Sequence, residues 1–172
     1  MLRIEPATPM QAGVVASLIR SAFREQVEIL GLCEPDWPNY VGFDTEAAVL
    51  RRMAAGVDVA LASEDDERMG TISWRLRGND AVAGEILRLA ILPAYRRNGH
   101  GHELMAYAET QLLMAGALVA RLSIVTQFGR LQAYYEQQGY AVVEVGRVAS
   151  LPFELTFMEK HLTDARASVG TG

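Results

Sequence analysis

Residues with usable chemistry crowd into one stretch of this sequence, Glu85 to Gly101, which reads EILRLAILPAYRRNGHG. A short apolar run ends at Pro93, and a basic turn punctuated by Gly99 and Gly101 follows. A helix is expected to begin near His102. Amide N–H groups in such a turn point one way, with the positive end of a helix dipole behind them. That arrangement receives phosphate oxygens. Arg96 and Arg97 add side-chain charge, and the two glycines let backbone approach a ligand without a Cβ in the way. Asn98, His100 and His102 complete the turn. The two histidines lack further ligands at suitable spacing, so no metal site is read here. A Walker-type loop is excluded because no Gly-Lys-Ser/Thr ending follows. Cys33 has no histidine partner in sequence, so a covalent acyl-cysteine is not expected.

The elements that must hold this turn come out of periodicity. Residues 2–5 alternate as a first strand. Thr8 and Pro9 open a helix whose apolar stripe is Val14, Val15, Leu18, Ile19, Ala22, Phe23, Val27 and Leu30, closed by Gly31. A loop over 32–43 follows, and its Trp37 and Tyr40 must either pack beneath it or line a pocket. Asp44 is expected to cap a second helix that ends at Gly56. Strands follow at 57–62, 70–77 and 83–92, with an exposed acidic turn at Glu64–Glu67 and a hairpin-like turn at Gly78–Asp80. A helix over 101–114 ends at Gly116. A strand over 119–125, a helix closed by Gly139, and strands over 140–148 and 155–160 complete the domain, read as residues 1–162. The tail from Thr163 is expected to be mobile.

Composition bounds the rest. The chain has 172 residues with a formal net charge of −5. Its size suits one domain with a real core, and its charge gives no global support for a nucleic-acid partner. A basic turn inside an acidic chain points instead to a small anionic ligand. A single cysteine rules out an intramolecular disulfide and fits a reducing, cytoplasmic setting. No apolar run has transmembrane length, so no membrane is expected as partner, and the N-terminus lacks a signal-peptide plan.

The run Arg96-Arg97-Asn98-Gly99-His100-Gly101 resembles the Arg/Gln-x-x-Gly-x-Gly/Ala signature of the GNAT superfamily of N-acetyltransferases. The strand Leu89-Ala90-Ile91-Leu92 with Pro93-Ala94-Tyr95 resembles the usual lead-in. Leu131-Gln132-Ala133-Tyr134-Tyr135-Glu136-Gln137-Gln138-Gly139-Tyr140 resembles the family's later helix. The resemblance implies an α/β (α+β) fold, with a mixed, mostly antiparallel sheet of about seven strands and helices on both faces. It implies acetyl-CoA bound where the fourth and fifth strands diverge, with its diphosphate on residues 96–102, and no metal.

It also implies roles. Backbone groups of Leu89, Ala90 and Ile91 would face the thioester carbonyl and the pantetheine. Tyr135 matches the tyrosine that protonates the leaving thiolate in many relatives, and a phenol is protonated at neutral pH. Tyr134 is expected to pack inward. Glu85 resembles the glutamate that serves some relatives as general base, with Glu28 as a second candidate. Phe128 stands where many relatives carry an asparagine that contacts the cofactor, and Arg130 would partly replace it by reaching a phosphate. The early helices and their loop would wall the acceptor site, with Glu28, Trp37 and Tyr40 as substrate-binding residues. Glu25, Glu28, Glu34 and Asp36 make that wall acidic, or form a solvated face. The function expected is direct acetyl transfer to a primary amine, a small cationic amine or amino acid being favoured. A protein amino group and a non-catalytic CoA-binding module stay open as alternatives, as does a homodimer.

Overall fold

The computed structural model describes residues 1–78 and 80–163. Asn79 of the expected hairpin turn and the tail beyond Thr163 lie outside the described residues. Seven strands form one sheet: β1 Leu2–Pro6, β2 Asp58–Glu64, β3 Glu67–Arg77, β4 Asp80–Ile91, β5 Val119–Val125, β6 Ala141–Arg147 and β7 Glu154–His161. Their spatial order is β1-β2-β3-β4-β5-β7-β6. Every neighbouring pair is antiparallel except β4 and β5, which run parallel. Four helices cover the sheet: α1 Ala12–Leu30, α2 Glu46–Ala54, α3 His100–Met114 and α4 Gly129–Glu136. Among the described residues no helix is long and apolar enough to cross a membrane.

Two hydrophobic clusters lie on the two faces. Leu104, Met105, Ala108 and Leu112 of α3 and Tyr135 of α4 pack with Met69, Ile72, Ile86, Leu122, Ile124 and Met158 of the sheet. On the other face Val15, Leu18, Ile19 and Ala22 of α1 and Val49 of α2 pack with Val59, Leu61 and Ala90. Val14 departs from the expected stripe and is 43 % exposed. It lies at the edge of the stripe, about 40° round the helix from Leu18 but about 100° from Val15 and about 140° from Ile19.

Helix entries follow local chemistry, with one correction. Thr8 opens a short 3-10 turn, Pro9–Gln11, before α1, and its amide donates to Gln11 Oε1 at 2.8 Å. Gly31 ends α1 at φ +63. Asp44, expected to cap α2, does not; Thr45 does, its hydroxyl accepting from the Ala48 amide at 3.2 Å. Asp44 sits one residue too early and is buried against two arginines. The acidic turn is also shorter than expected. Glu64 and Glu67 are the last paired residues of β2 and β3. Asp65 and Asp66, both at positive φ, make the two-residue hairpin turn between them. Helix α4 is closed as expected by Gly139 at φ +93, with the Gly139 amide donating to Glu136 O and the Tyr140 amide to Tyr135 O.

A bulge in β4 positions the site. Thr71 pairs with Ala90, but Ser73 pairs with Leu87, so two steps on β3 face three on β4. The extra residue puts Arg88 at φ +52. A non-glycine residue held there costs roughly 1–3 kcal/mol, which the surrounding sheet must offset. Strand alternation then restarts out of phase. Ile86 packs in the α3 cluster, and so do Leu89 and Ile91 beyond the bulge, while Ala90 and Leu92 turn to the α1 side. Without the extra residue, Arg88 would enter the apolar face and Leu89 would leave it.

Candidate active site

The turn after β4 is built from short-range bonds. Leu92 donates its amide to Met69 O at 2.9 Å, ending the β3–β4 ladder, and Pro93–Tyr95 form a 3-10 turn. Tyr95 is anchored through its hydroxyl, which donates to Glu67. Arg96 is committed as well. Its guanidinium donates to Ile91 O at 3.1 Å and Ala22 O at 2.6 Å, and its NH1 lies 3.6 Å from Glu25. It therefore staples the turn to α1.

Beyond Arg96 the chain opens. Arg97 has φ +71, and Gly99, the residue before α3, has φ +84. The first amide used by the helix is that of Glu103, which donates to Gly99 O. The amides of Arg97, Asn98, Gly99, His100, Gly101 and His102 have no hydrogen-bond partner among the described residues. The Arg97 side chain is likewise uncommitted, as is that of Arg130 in the first turn of α4. His100 turns its ring inward. It is 7 % exposed, Nε2 lies 3.6 Å from Glu64, and neither ring nitrogen is hydrogen-bonded. His102 stays exposed. Among the described residues no cluster of three His, Cys, Asp or Glu side chains could hold a metal ion.

Next to this turn the sheet splits. β4 and β5 pair only over Ala83–Glu85 against Val119–Arg121. Beyond that seam β4 continues to Ile91 beside β3, and β5 continues to Val125 beside β7. The Leu92 amide faces β3, so alternation turns the Ala90 peptide groups to β3 and those of Leu89 and Ile91 towards the split. Ile91 O confirms this direction, since it meets Arg96 rather than β3.

Two tyrosines of α4 border the site differently. Tyr134 is half-buried, and a Cβ added to Gly101 would lie 2.4 Å from its hydroxyl and 3.4 Å from the Ile91 side chain. Gly101 is thus what lets the Tyr134 hydroxyl reach the first turn of α3. Tyr134 does pack against the α3 cluster, but from its edge. Successive helical residues differ by 100°, and it is Tyr135 that takes the inward direction. Tyr135 is 7 % exposed, meets Tyr134 and Tyr140 edge-on at 5.1 and 5.9 Å, and its hydroxyl has no hydrogen-bond partner among the described residues. Burial raises its pKa, with Tyr134 adding to the effect. Phe128 precedes α4 as its N-cap and is partly buried.

On the opposite face, the α1–α2 loop and the β6–β7 loop meet through aromatic rings. Tyr40 contacts Phe43 at 6.1 Å and Phe153 at 5.6 Å, and its hydroxyl donates to Gln26 at 2.9 Å. Tyr40 is therefore inside the wall, with burial raising its pKa, while Trp37 stays partly exposed on the loop. The acidic wall is largely paired. Glu25 faces Arg96, Glu34 lies 3.4 Å from Arg20, and Asp36 accepts from Cys33 at 3.1 Å. That contact raises the thiol pKa, so Cys33 is not an activated nucleophile. Glu28 remains, on an open cleft of about 320 Å³ that Ser21, Arg24 and Pro93 also line. Glu85 lies on β4, accepts from Arg75 Nε at 2.8 Å and is ion-paired with its terminal nitrogen at 2.7 Å.

Sequence reasoning missed a buried charge cluster on this face. Arg52 grips Asp44 with both terminal nitrogens, one at 2.8 Å, and Arg88 Nε lies 3.2 Å from the same carboxylate. The signal was present: Arg88 is the one charged residue in the run Ile86–Leu92.

A family model described as an acetyltransferase (GNAT) domain matches residues 55–142. None of the curated proteins matches the sequence. Among solved structures, the chain is similar to the PaiA N-acetyltransferase of Thermoplasma acidophilum in complex with coenzyme A. The two are 18 % identical over 94 % of this chain and 99 % of that one, with a TM-score of 0.75. The ribosomal-protein-S18-alanine N-acetyltransferase of Escherichia coli is 12 % identical over 96 % of each chain, with a TM-score of 0.74. YncA of Salmonella typhimurium, solved with its cofactor acetyl-CoA, is 18 % identical over 95 % of each chain, with a TM-score of 0.70. At these identities the likeness is one of fold.

Proposed function

The chain belongs to the acetyltransferase (GNAT) family, and on that premise we propose that it moves an acetyl group directly from acetyl-CoA to a primary amine, a small amine or amino acid being favoured. The observation that carries this reading is the run of six unpartnered amides, Arg97 to His102, at the mouth of the β4–β5 split. Free N–H groups at a helix start suit a diphosphate. Arg97 and Arg130, whose side chains have no partner among the described residues, are the cations assigned to further phosphate oxygens. The backbone groups of Leu89 and Ile91 suit a pantetheine amide and a carbonyl oxygen that gains charge.

Acetyl-CoA supplies an activated acyl group as a thioester. The chain supplies the proton traffic. Tyr135, a phenol kept protonated by burial with an unused hydroxyl, donates to the departing sulfur. Glu85, which alternation with the α3-facing Ile86 turns to the α1 side, is the group assigned to accept the amine's proton through water.

The test is calorimetric titration of the purified protein with CoA, followed by acetyl-CoA turnover over a broad amine panel. Gly99→Val places a β-branched residue at φ +84, which such residues avoid. The expected result is a rise of tenfold or more in the CoA Kd. Unchanged affinity would count against the phosphate turn. CoA binding without release of free CoA for any amine would convert the reading to a non-catalytic CoA-binding module.

A further inference from the structure

Arg88 is the least explained residue of the molecule. It is the extra residue of the β4 bulge, held at φ +52, and its side chain is only 22 % exposed. Deep guanidinium groups normally have every nitrogen engaged. Arg88 does not. Its Nε approaches Asp44 at 3.2 Å but is out of line for a hydrogen bond, and its two terminal nitrogens have no partner among the described residues. Asp44 is not that partner: it accepts from both terminal nitrogens of Arg52 and from the Thr45 amide, and from neither terminal nitrogen of Arg88. Glu85, the other carboxylate near Arg88, is claimed by Arg75. Two guanidinium groups therefore share one carboxylate, which leaves one positive charge in excess at a part-buried site where Nε is sealed off and the terminal nitrogens are still open to solvent. Burial and the neighbouring Arg52 both lower the Arg88 pKa, so the charged form is held at a cost.

The residue following Arg88 is Leu89, whose peptide groups face the β4–β5 split, and the Arg88 side chain leaves on the face covered by α1, α2 and the aromatic loops. A group held by Arg88 thus sits one residue from the proposed acetyl-transfer point, on the side from which an acceptor would arrive.

We infer that Arg88 receives a carboxylate carried by the acceptor, so that the amine acetylated is an amino acid or a similar amino-carboxylate rather than a plain amine. The planar guanidinium presents a two-pronged fork that matches a carboxylate. The Asp44–Arg52 pair braces the fork from behind while leaving its terminal nitrogens open. This rests on the acetyl-transfer reading above, which it narrows.

The experiment compares amines that differ only at the carboxyl. L-Amino acids and β-alanine are assayed for acetyl transfer beside their C-terminal amides, with the wild type, Arg88→Gln and Arg88→Lys. The wild type is expected to favour acids over amides by about 10- to 100-fold in kcat/KM, the range of one charge-assisted hydrogen-bond pair. Arg88→Gln is expected to erase that ratio, mostly through KM, and Arg88→Lys to restore part of it. CoA affinity serves as the check that each variant is folded, since Asp44 keeps Arg52 as its partner in both. Equal turnover of acids and amides by the wild type, or a ratio that survives in Arg88→Gln, would overturn the inference. Where no amine turns over, acid binding to the CoA complex is measured by calorimetry. Arg88-dependent binding of acids alone would keep the anion site and sink the transferase reading. Absence of binding would overturn the anion site itself.

Discussion

At the scale of single residues, two neighbouring phenols divide the claims on one role. Tyr135 matches the sequence pattern and is buried with an unused hydroxyl, whereas the Tyr134 hydroxyl lies against the first turn of α3. Tyr135→Phe is expected to lower kcat by 10²-fold or more while CoA affinity stays within about twofold, the pattern of a lost acid in the chemical step. Tyr134→Phe is expected to weaken CoA binding first. The reverse pattern would transfer the proton-donor role to Tyr134. Glu85→Gln is expected to lower kcat/KM by about tenfold or more with CoA affinity unchanged, because an amide cannot take up a proton. Wild-type turnover in this variant would move the base elsewhere. The sequence identified Tyr135 through its flanking residues, and it could not tell which of two adjacent rings looks inward. Periodicity gives that direction only once the phase of α4 against the sheet is known.

At the scale of elements, β4 does the positioning, and it does so through an irregularity. Alternation in the sequence showed a strand over 83–92 but could not show that one residue within it is unpaired, since the slip depends on the partner strand. Asp44 went astray for a related reason. Its distance from the apolar residues fitted a cap, and only the three-dimensional structure brings Arg52 and Arg88 to it. By contrast, the glycine turn was legible because every requirement there is local. Gly70 tests how tightly β4 is held. It pairs with Ile91, and a Cβ added to it would lie 2.8 Å from Ala90 O, a backbone atom that cannot swing aside. Gly70→Ala is expected to cost about 1–3 kcal/mol. Thermal melting would then fall by roughly 2–4 °C for each kcal/mol. It is also expected to weaken CoA binding, because the displaced peptide adjoins those facing the split. A melting point and a Kd both at wild-type values would show that β4 is free to shift.

At the scale of the whole molecule, burial of phenols ties stability to alkaline pH. Tyr40, Tyr135 and Tyr140 all have pKa values raised chiefly by burial, with Glu109 adding to the effect at Tyr140. The folded state keeps these protons while the unfolded chain releases them near pH 10. Above that pH the native state binds more protons than the unfolded one, so stability falls as pH rises. Melting temperature is expected to change little through these groups below about pH 9 and to drop beyond about pH 10. The phenolate absorbance of the three rings should appear together with unfolding. Their ionisation in a still-folded protein would show that the rings are open to water. The architecture was legible in the sequence because helices and strands alternate with clear stops. The pairing order of the strands, and the joining of two distant loops by Tyr40 and Phe153, depend on contacts far apart along the chain.

The parallel seam between β4 and β5 has a mechanical consequence. The sheet is two leaves, β1–β4 and β5–β7–β6, and their main-chain ladder is three residue pairs long, extended by one bond from the Leu118 amide to Val82 O. Everything past that short spine is an open book. Any molecule long enough to touch both pages braces them as a rivet would, and the width between the pages is set by what lies there as much as by the polypeptide itself.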